Sequence, residues 1–173
     1  SERALTFARP PRILVAEDHD INQALIISMA SRIGLAVDIA ENGEEVVRLV
    51  TDAQAADKPY DLILMDVQMP IMDGLTAAKR IREELKLTLP IIAMTAHAMQ
   101  QDIDKSHAAG MDGHINKPVD PNRFFDVLVE VLNDQKFHSI PSNEAPLSLA
   151  SSDAFVPNSL SFIDSFLIFV HGR

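Results

Sequence analysis

Short unbroken apolar runs alternate with helical patterns through the middle of the chain. Ile13-Leu14-Val15-Ala16 is one such run, the mark of a strand buried on both faces. It ends in Glu17-Asp18-His19-Asp20. Asp20 and Gln23 have capping-box spacing, which predicts a helix start there, with Ile21, Leu25, Met29 and Ile33 as its apolar stripe and Gly34 as its stop. Residues 35–40 read as a second strand, in which Val37 and Ile39 alternate with polar neighbours. A second capping box, Asn42 with Glu45, opens a helix carrying Val46, Leu49 and Val50. Residues 60–65 form a third strand, closed by Asp66. Pro70 and Asp73-Gly74 punctuate the next loop, and a helix with Leu75, Ala78, Ile81 and Leu85 follows. Residues 90–94 make a fourth buried strand ending at Thr95. A more polar helix covers residues 99–109 and stops at Gly110. His114-Ile115-Asn116 is a short fifth strand that ends at Lys117-Pro118. Asp120 caps a last helix, with Pro121 at its first position and Phe124, Phe125, Leu128, Val131 and Leu132 on its buried side.

Five strands alternating with five helices at this spacing predict an α/β fold, a doubly wound five-stranded parallel sheet with helices on both faces. That pattern occupies residues 12–136. Residues 1–11 read as an N-terminal linker, and residues 137–173 as a Ser/Pro-rich linker with an apolar end from Phe162 to Val170. Composition then removes several function classes. There is no cysteine in the 173 residues, which excludes a disulfide scaffold, a zinc ribbon and a thiol nucleophile. A net charge of −10 argues against nucleic-acid binding, which needs clustered Lys and Arg. No apolar stretch reaches the ~18 residues of a membrane span. The chain opens on Ser1 without a basic-then-apolar leader, and it reads as a piece of a cytoplasmic protein.

In an open parallel sheet, ligands bind beyond the C-terminal ends of the strands. Those ends deliver Glu17 and Asp18, then Asp66, then Thr95, then Lys117. A single Asp after a strand is ordinarily a loop or cap residue, and an acidic pair is ordinarily solvated surface. Convergence from four strands outweighs those bland readings. Three carboxylates at one edge repel each other, and a divalent cation and Lys117 would relieve them. Carboxylate oxygens with open positions suit Mg²⁺. Asp66 ends the most apolar strand and could act as a nucleophile toward phosphorus, with Mg²⁺ and Lys117 neutralising the phosphoryl oxygens. His19, His97, His107, His138 and His171 show no metal-ligand spacing and read mostly as surface residues.

The text around these residues resembles the response-regulator receiver domain of two-component and phosphorelay signalling. The matching segments are I-L-V-A-E-D-H-D-I-N-Q (13–23), L-I-L-M-D-V-Q-M-P-I-M-D-G (62–74), P-I-I-A-M-T-A-H-A (90–98) and A-G-M-D-G-H-I-N-K-P-V (109–119). The wording is most similar to receivers fused to hybrid sensor histidine kinases. The resemblance implies a flavodoxin-like receiver fold for residues 12–136. It implies that Asp66 accepts a phosphoryl group from a phosphohistidine, on a histidine kinase or a histidine phosphotransfer domain, and loses it slowly by itself. Glu17, Asp18, Asp66 and the backbone carbonyl of Gln68 would hold Mg²⁺. Thr95 and Lys117 would bind the phosphoryl group, and Lys117-Pro118 would be cis. Gln68 and His97 would tune the phosphoryl lifetime. His114 stands at the position of the family's switch aromatic, a departure that could make the switch pH-sensitive. The fourth helix, fifth strand and fifth helix would form the partner face, with a homodimer as one use of it.

Three other readings compete. An Asp-nucleophile phosphatase of the haloacid-dehalogenase type needs a second Asp two residues on, where Gln68 stands. A flavodoxin-like cofactor carrier has no need of Glu17, Asp66 and Lys117 together. A phosphorylation-independent binding module with the receiver architecture has no need of the full acidic set.

Overall fold

The computed structural model describes residues 9–139, with side chains through Asn133. The expected linker at residues 1–8 and the Ser/Pro-rich and apolar segments beyond residue 139 lie outside the described residues. Ten elements alternate: β1 (Ile13–Ala16), α1 (Asp20–Arg32), β2 (Val37–Ala40), α2 (Gly43–Ala55), β3 (Leu62–Asp66), α3 (Gly74–Glu83), β4 (Ile91–Thr95), α4 (Gln100–Ala108), β5 (Gly113–Asn116) and α5 (Pro121–Ser139). All strand pairs are parallel, in the order β2-β1-β3-β4-β5. This is the doubly wound fold expected from the alternation. The order reverses between β1 and β3, which opens a crevice at their C-terminal ends.

The two faces of the sheet have separate cores. On one, Ile13, Val15, Leu62, Leu64, Ile92 and Met94 meet Ile26, Met29 and Ala30 of α1 and Phe124, Leu128 and Leu132 of α5. On the other, Leu14, Ile63, Met65, Ile91 and Ala93 meet Val46 and Val50 of α2 and Ala77, Ala78 and Ile81 of α3. Alternate residues of each strand therefore serve opposite cores, which is why the strands read as continuous apolar runs. Helix α4 contributes only Ser106 to the buried set, so it is the most lightly packed helix.

Helix ends largely follow the expected chemistry. Asn42 Oδ1 accepts the Glu45 amide at 2.9 Å, while the Glu45 carboxylate accepts from Glu41 N–H rather than closing a box on Asn42 itself. Asp120 Oδ1 accepts the amides of Asn122 and Arg123. Gly34, at φ +74°, ends α1 with Leu35 N–H donating to Ala30 O and Gly34 N–H to Ser31 O, the paired bonds of a left-handed cap.

Helix α1 departs from expectation in two ways. Asp20 is its first residue, not its cap; His19 takes the cap position and no side chain caps it. The Gln23 amide instead donates to Glu17 O at 2.7 Å, tying the helix to the end of β1. The buried face is Ile26, Met29, Ala30 and Ile33, whereas Ile21 is 83% exposed and Leu25 40%. Nearly every face of this helix carries an apolar side chain, so periodicity did not single out the one that docks.

The lower edge of the sheet is held by charge. Arg9 makes a two-pronged contact with Asp61, and Asp61 also accepts the Arg12 amide at 2.7 Å. Residues 9–11, read as the end of a linker, thus lie against the domain, with Pro11 buried. Tyr60 is buried there. Its hydroxyl donates to Asp38 Oδ2 at 2.7 Å, and the Arg12 guanidinium lies 4.6 Å over its ring. Burial, then the Asp38 bond and charge, push the Tyr60 hydroxyl up to about 12, against the pull of Arg12. A raised pKa contributes stability below the unfolded value and loses it as pH rises through the folded one. Tyr60→Phe is expected to cost about 1 kcal/mol at neutral pH. Its stability should also lack the part of the wild-type decline that falls between about pH 10 and 12. Urea unfolding across that range reads both, and parallel declines would disprove the assignment.

Candidate functional site

The C-terminal strand ends bring Glu17, Asp66 and Lys117 into direct contact. Glu17 follows β1 and is fully buried; its own amide donates to Ala40 O at 2.9 Å, so the chain is still held to β2 there. Its Oε1 accepts the His19 amide at 3.0 Å. Asp66 is 4% exposed at the end of β3, and its Oδ1 accepts the Gln68 amide at 3.1 Å. Lys117 reaches back from the end of β5. Its Nζ lies 2.9 Å from Asp66 Oδ2, as a hydrogen bond, and 2.9 Å from Glu17 Oε2. The Glu17 contact is an ion pair without hydrogen-bond alignment, so Oε2 keeps unused acceptor capacity. The Lys117-Pro118 bond is cis, as expected.

Charge at the site is unequal. Burial pushes Glu17 up, but Lys117 and the His19 amide more than reverse it, and its carboxyl sits below the usual range. For Asp66, burial prevails over Lys117 and the Gln68 amide, with Glu17 adding repulsion, and its carboxyl sits above the usual range. Lys117 is pushed down by burial and more strongly up by Asp66 and Glu17, so it stays cationic. One ammonium serves both buried carboxylates, and Asp18 adds a third acidic group beside them.

Asp18 supplies the test for a metal. Its Oδ1 is buried and has no hydrogen-bond partner, a costly state for a carboxylate oxygen unless a cation completes it. Ligand atoms of Glu17, Asp18 and His19 lie within 4.8 Å of one another. An orphaned carboxylate oxygen, the spare Glu17 Oε2 and an excess of acid fit a hard divalent cation with several water ligands. His19 was read among the surface histidines; its ring is exposed, with Nε2 3.8 Å from Asp18 Oδ2. Asp66 is turned to Lys117 rather than grouped with that set.

Thr95 is placed at the end of β4 but its hydroxyl is not on Asp66. It donates to His97 O at 2.8 Å and accepts the His97 amide at 3.1 Å. Thr95, His97, Gln68, Asp66 and Lys117 do share the walls of one cavity of about 260 Å³, completed by Asp102, Lys105 and Ser106 of α4. His114 is elsewhere. It is half-buried on β5 in a groove with Arg123 and Val127, away from Asp66.

Two contributors escaped the sequence reading. Gln23 was taken for a capping partner and instead fixes the Glu17 carbonyl. Gly74 was read as loop punctuation, yet it packs against the site itself. A Cβ there would stand 2.2 Å from Asp66 O, so only glycine lets α3 start against the end of β3. The Asp-Gly pair was the available signal.

Known proteins resemble this chain in sequence and fold. A response regulator receiver domain model matches residues 13–129. Hybrid signal transduction histidine kinase I of Dictyostelium discoideum is 38% identical over 139 residues, covering 79% of this chain. The chain spans only 8% of that kinase's length. The receiver domain of sensor histidine kinase PA1611 from Pseudomonas aeruginosa, solved with a magnesium ion coordinated in its active site cleft, is 33% identical. It covers 72% of this chain and 98% of its own, with a TM-score of 0.61. The receiver domain of Saccharomyces cerevisiae Ssk1, co-crystallised with the histidine phosphotransfer protein Ypd1, is 25% identical, covers 78% and 95%, and has a TM-score of 0.63. With that match over more than half of the chain and the parallel sheet order beside it, the chain belongs to the response regulator receiver domain family.

Proposed function

We propose that this domain takes a phosphoryl group onto Asp66 from a phosphohistidine and passes the event to a partner through its surface. The observation that carries the reading is the single ammonium of Lys117 shared between buried Asp66 and Glu17 beside the orphaned Asp18 oxygen. An Asp66 carboxylate oxygen attacks phosphorus, the P–N bond to the donor imidazole breaks, and its electron pair stays on the imidazole nitrogen. Lys117 then pairs with the transferred group. Glu17 and Asp18 would hold Mg²⁺, with the Gln68 carbonyl as a third contributor, and the cation supplies charge neutralisation at the phosphoryl oxygens. Thr95 would leave His97 for a phosphoryl oxygen. Gln68 and His97, on the cavity wall, would set water access and so the lifetime of the acyl phosphate.

The new charge, roughly −1.5 to −2, changes what Thr95 and Lys117 contact. Helix α4 is the element best able to respond, because it buries so little. The partner face would comprise α4, β5 and α5, with His114 on it, open to a second copy or another protein. For the donor, all five exposed large apolar side chains among the described residues, Ile21, Leu25, Ile27, Ile71 and Met99, lie on α1 or on the segments that follow β3 and β4. Exposed apolar surface on the segments that leave the strand ends suits a protein donor, a histidine kinase or histidine phosphotransfer domain. We assign the receiver to residues 12–136, with 1–11 and 137–173 as connecting segments, a cytoplasmic location for this piece, and a hybrid sensor kinase, itself open to a membrane anchor, as the parent chain. No described helix is long and apolar enough to cross a membrane.

Acetyl phosphate tests the reading. With Mg²⁺ the protein should gain the mass of one phosphoryl group. With a chelator, or in Asp66→Asn, it should gain none. Because Asp66 is held above the usual range by burial, Asp66→Asn should melt no lower than the wild type in metal-free buffer, so a lost signal would not reflect unfolding. Label retained in Asp66→Asn would dispose of the proposal.

A further inference from the structure

Ile71 carries a backbone conformation that its side chain opposes. Its φ is +68°, in the left-handed region, where a β-branched residue is a genuine outlier. Met72 N–H donates to Pro70 O at 2.7 Å, so Ile71 is the centre of a three-residue γ-turn of the strained kind. Two other non-glycine residues share a positive φ, Asp57 and Lys86, but both are unbranched at Cβ and lie in the turns that follow α2 and α3. Ile71 has no helix end to account for it. Nor does core packing compensate, since the residue is 75% exposed.

The loop around it is locked. Gly43 N–H donates to Met72 O at 2.8 Å, and Gly74 N–H to Val67 O at 2.9 Å. Asp73 caps α3 through the Thr76 amide at 2.7 Å. A fixed loop thus projects a stiff apolar side chain into solvent, five residues after Asp66. Strain held by surrounding structure and unrelieved by internal contact points outward, to something that binds.

Resting on the phosphoacceptor reading, we infer that Ile71 is a specificity-determining anchor for the protein that carries the phosphohistidine. Asp66 is 4% exposed at the end of β3, and Ile71 stands in the loop that leaves that strand end, so a protein-borne imidazole that reaches Asp66 brings its carrier toward this loop. A small phosphodonor needs only the cavity beside Asp66, whose walls do not include Ile71. Ile71 therefore acts on the encounter with a protein donor and not on the chemistry at Asp66. Its rigidity lowers the ordering cost of that encounter.

The experiment compares two donors on three proteins: wild type, Ile71→Gly and Ile71→Asn. Both substitutions suit a left-handed residue, so both should melt no lower than the wild type. Labelling by acetyl phosphate with Mg²⁺ should stay within twofold. Transfer from phosphorylated Ypd1 of Saccharomyces cerevisiae should fall at least tenfold in its second-order rate constant for both variants. Equal transfer from Ypd1 to all three proteins would overturn the inference, as would a parallel fall in acetyl phosphate labelling, which would mark a structural role. A wild type that labels with acetyl phosphate but accepts nothing from Ypd1 would also overturn it. Absence of labelling by acetyl phosphate in the wild type would instead refute the phosphoacceptor reading.

Discussion

Lys117→Met is expected to destabilise the domain by about 3–5 kcal/mol at neutral pH in chelator-containing buffer, the cost of stripping a buried ion cluster of its cation. Methionine keeps an apolar stem of similar length, so the loss reports charge more than packing. Glu17 is fully buried and Asp66 nearly so, and the described side chains offer them no second ammonium. The pH dependence should invert. In the wild type the Glu17 carboxyl sits below its ordinary value, so its contribution is present above about pH 4.5 and lost as pH falls through the lowered value. In the variant, burial acts without Lys117 and raises both carboxyls. Their protonated forms are then favoured in the fold, and the deficit shrinks as pH is lowered from 8 toward 5. Mg²⁺ should recover part of the loss by mass action, since a bound cation replaces the missing charge. Urea unfolding at several pH values, with and without Mg²⁺, measures all three effects. A variant as stable as the wild type at neutral pH would show that the Lys117 contacts carry no net weight.

Gly74→Ala, and more so Gly74→Val, should be the other severe lesion. Helix propensity alone would favour alanine over glycine by about 1 kcal/mol. Here the sign reverses. The added Cβ meets Asp66 O at 2.2 Å and Met65 Cγ at 2.9 Å, and the first of these is backbone that no rotamer change can move. Relief requires α3 to withdraw from β3 or the end of β3 to shift. We expect a loss of about 3 kcal/mol or more for alanine, with valine failing to fold or melting far lower. Phosphoryl transfer should fall even where folding survives, because the displaced peptide is that of the acceptor. Normal melting and normal acetyl phosphate labelling of Gly74→Ala would contradict the close approach.

Most of the fold was legible because both faces of the sheet are buried. Leu62-Ile63-Leu64-Met65 has no polar interruption, and a run of that length bounded by turn residues is a strand of a covered sheet. Site residues were legible because parallel strands all point one way, so the residue after each apolar run lands on one edge. What escaped depends on tertiary choice. Helix α1 is apolar almost all round, and only docking selected Ile26 and Met29 over Ile21 and Leu25. Gln23 had capping-box spacing, in which its side chain would accept a backbone N–H, and packing of α1 on β1 instead has it donate to Glu17 O. The Thr95 hydroxyl turned to His97 because a local turn satisfies it at once. The left-handed Ile71 carries no local signal, since isoleucine is the residue that conformation least favours.

The direction of the strands has a consequence for assembly of the chain. Glu17, Asp66 and Lys117 stand at the ends of β1, β3 and β5, and Lys117 follows the edge strand that joins last in sequence. A nascent chain that has formed β1 to β4 places two carboxylates side by side with their counterion still unmade. Repulsion then works against the half-built sheet until β5 arrives. Folding of the domain is thereby pushed toward a single cooperative step, and a ribosome-bound fragment ending before residue 113 should remain sensitive to protease.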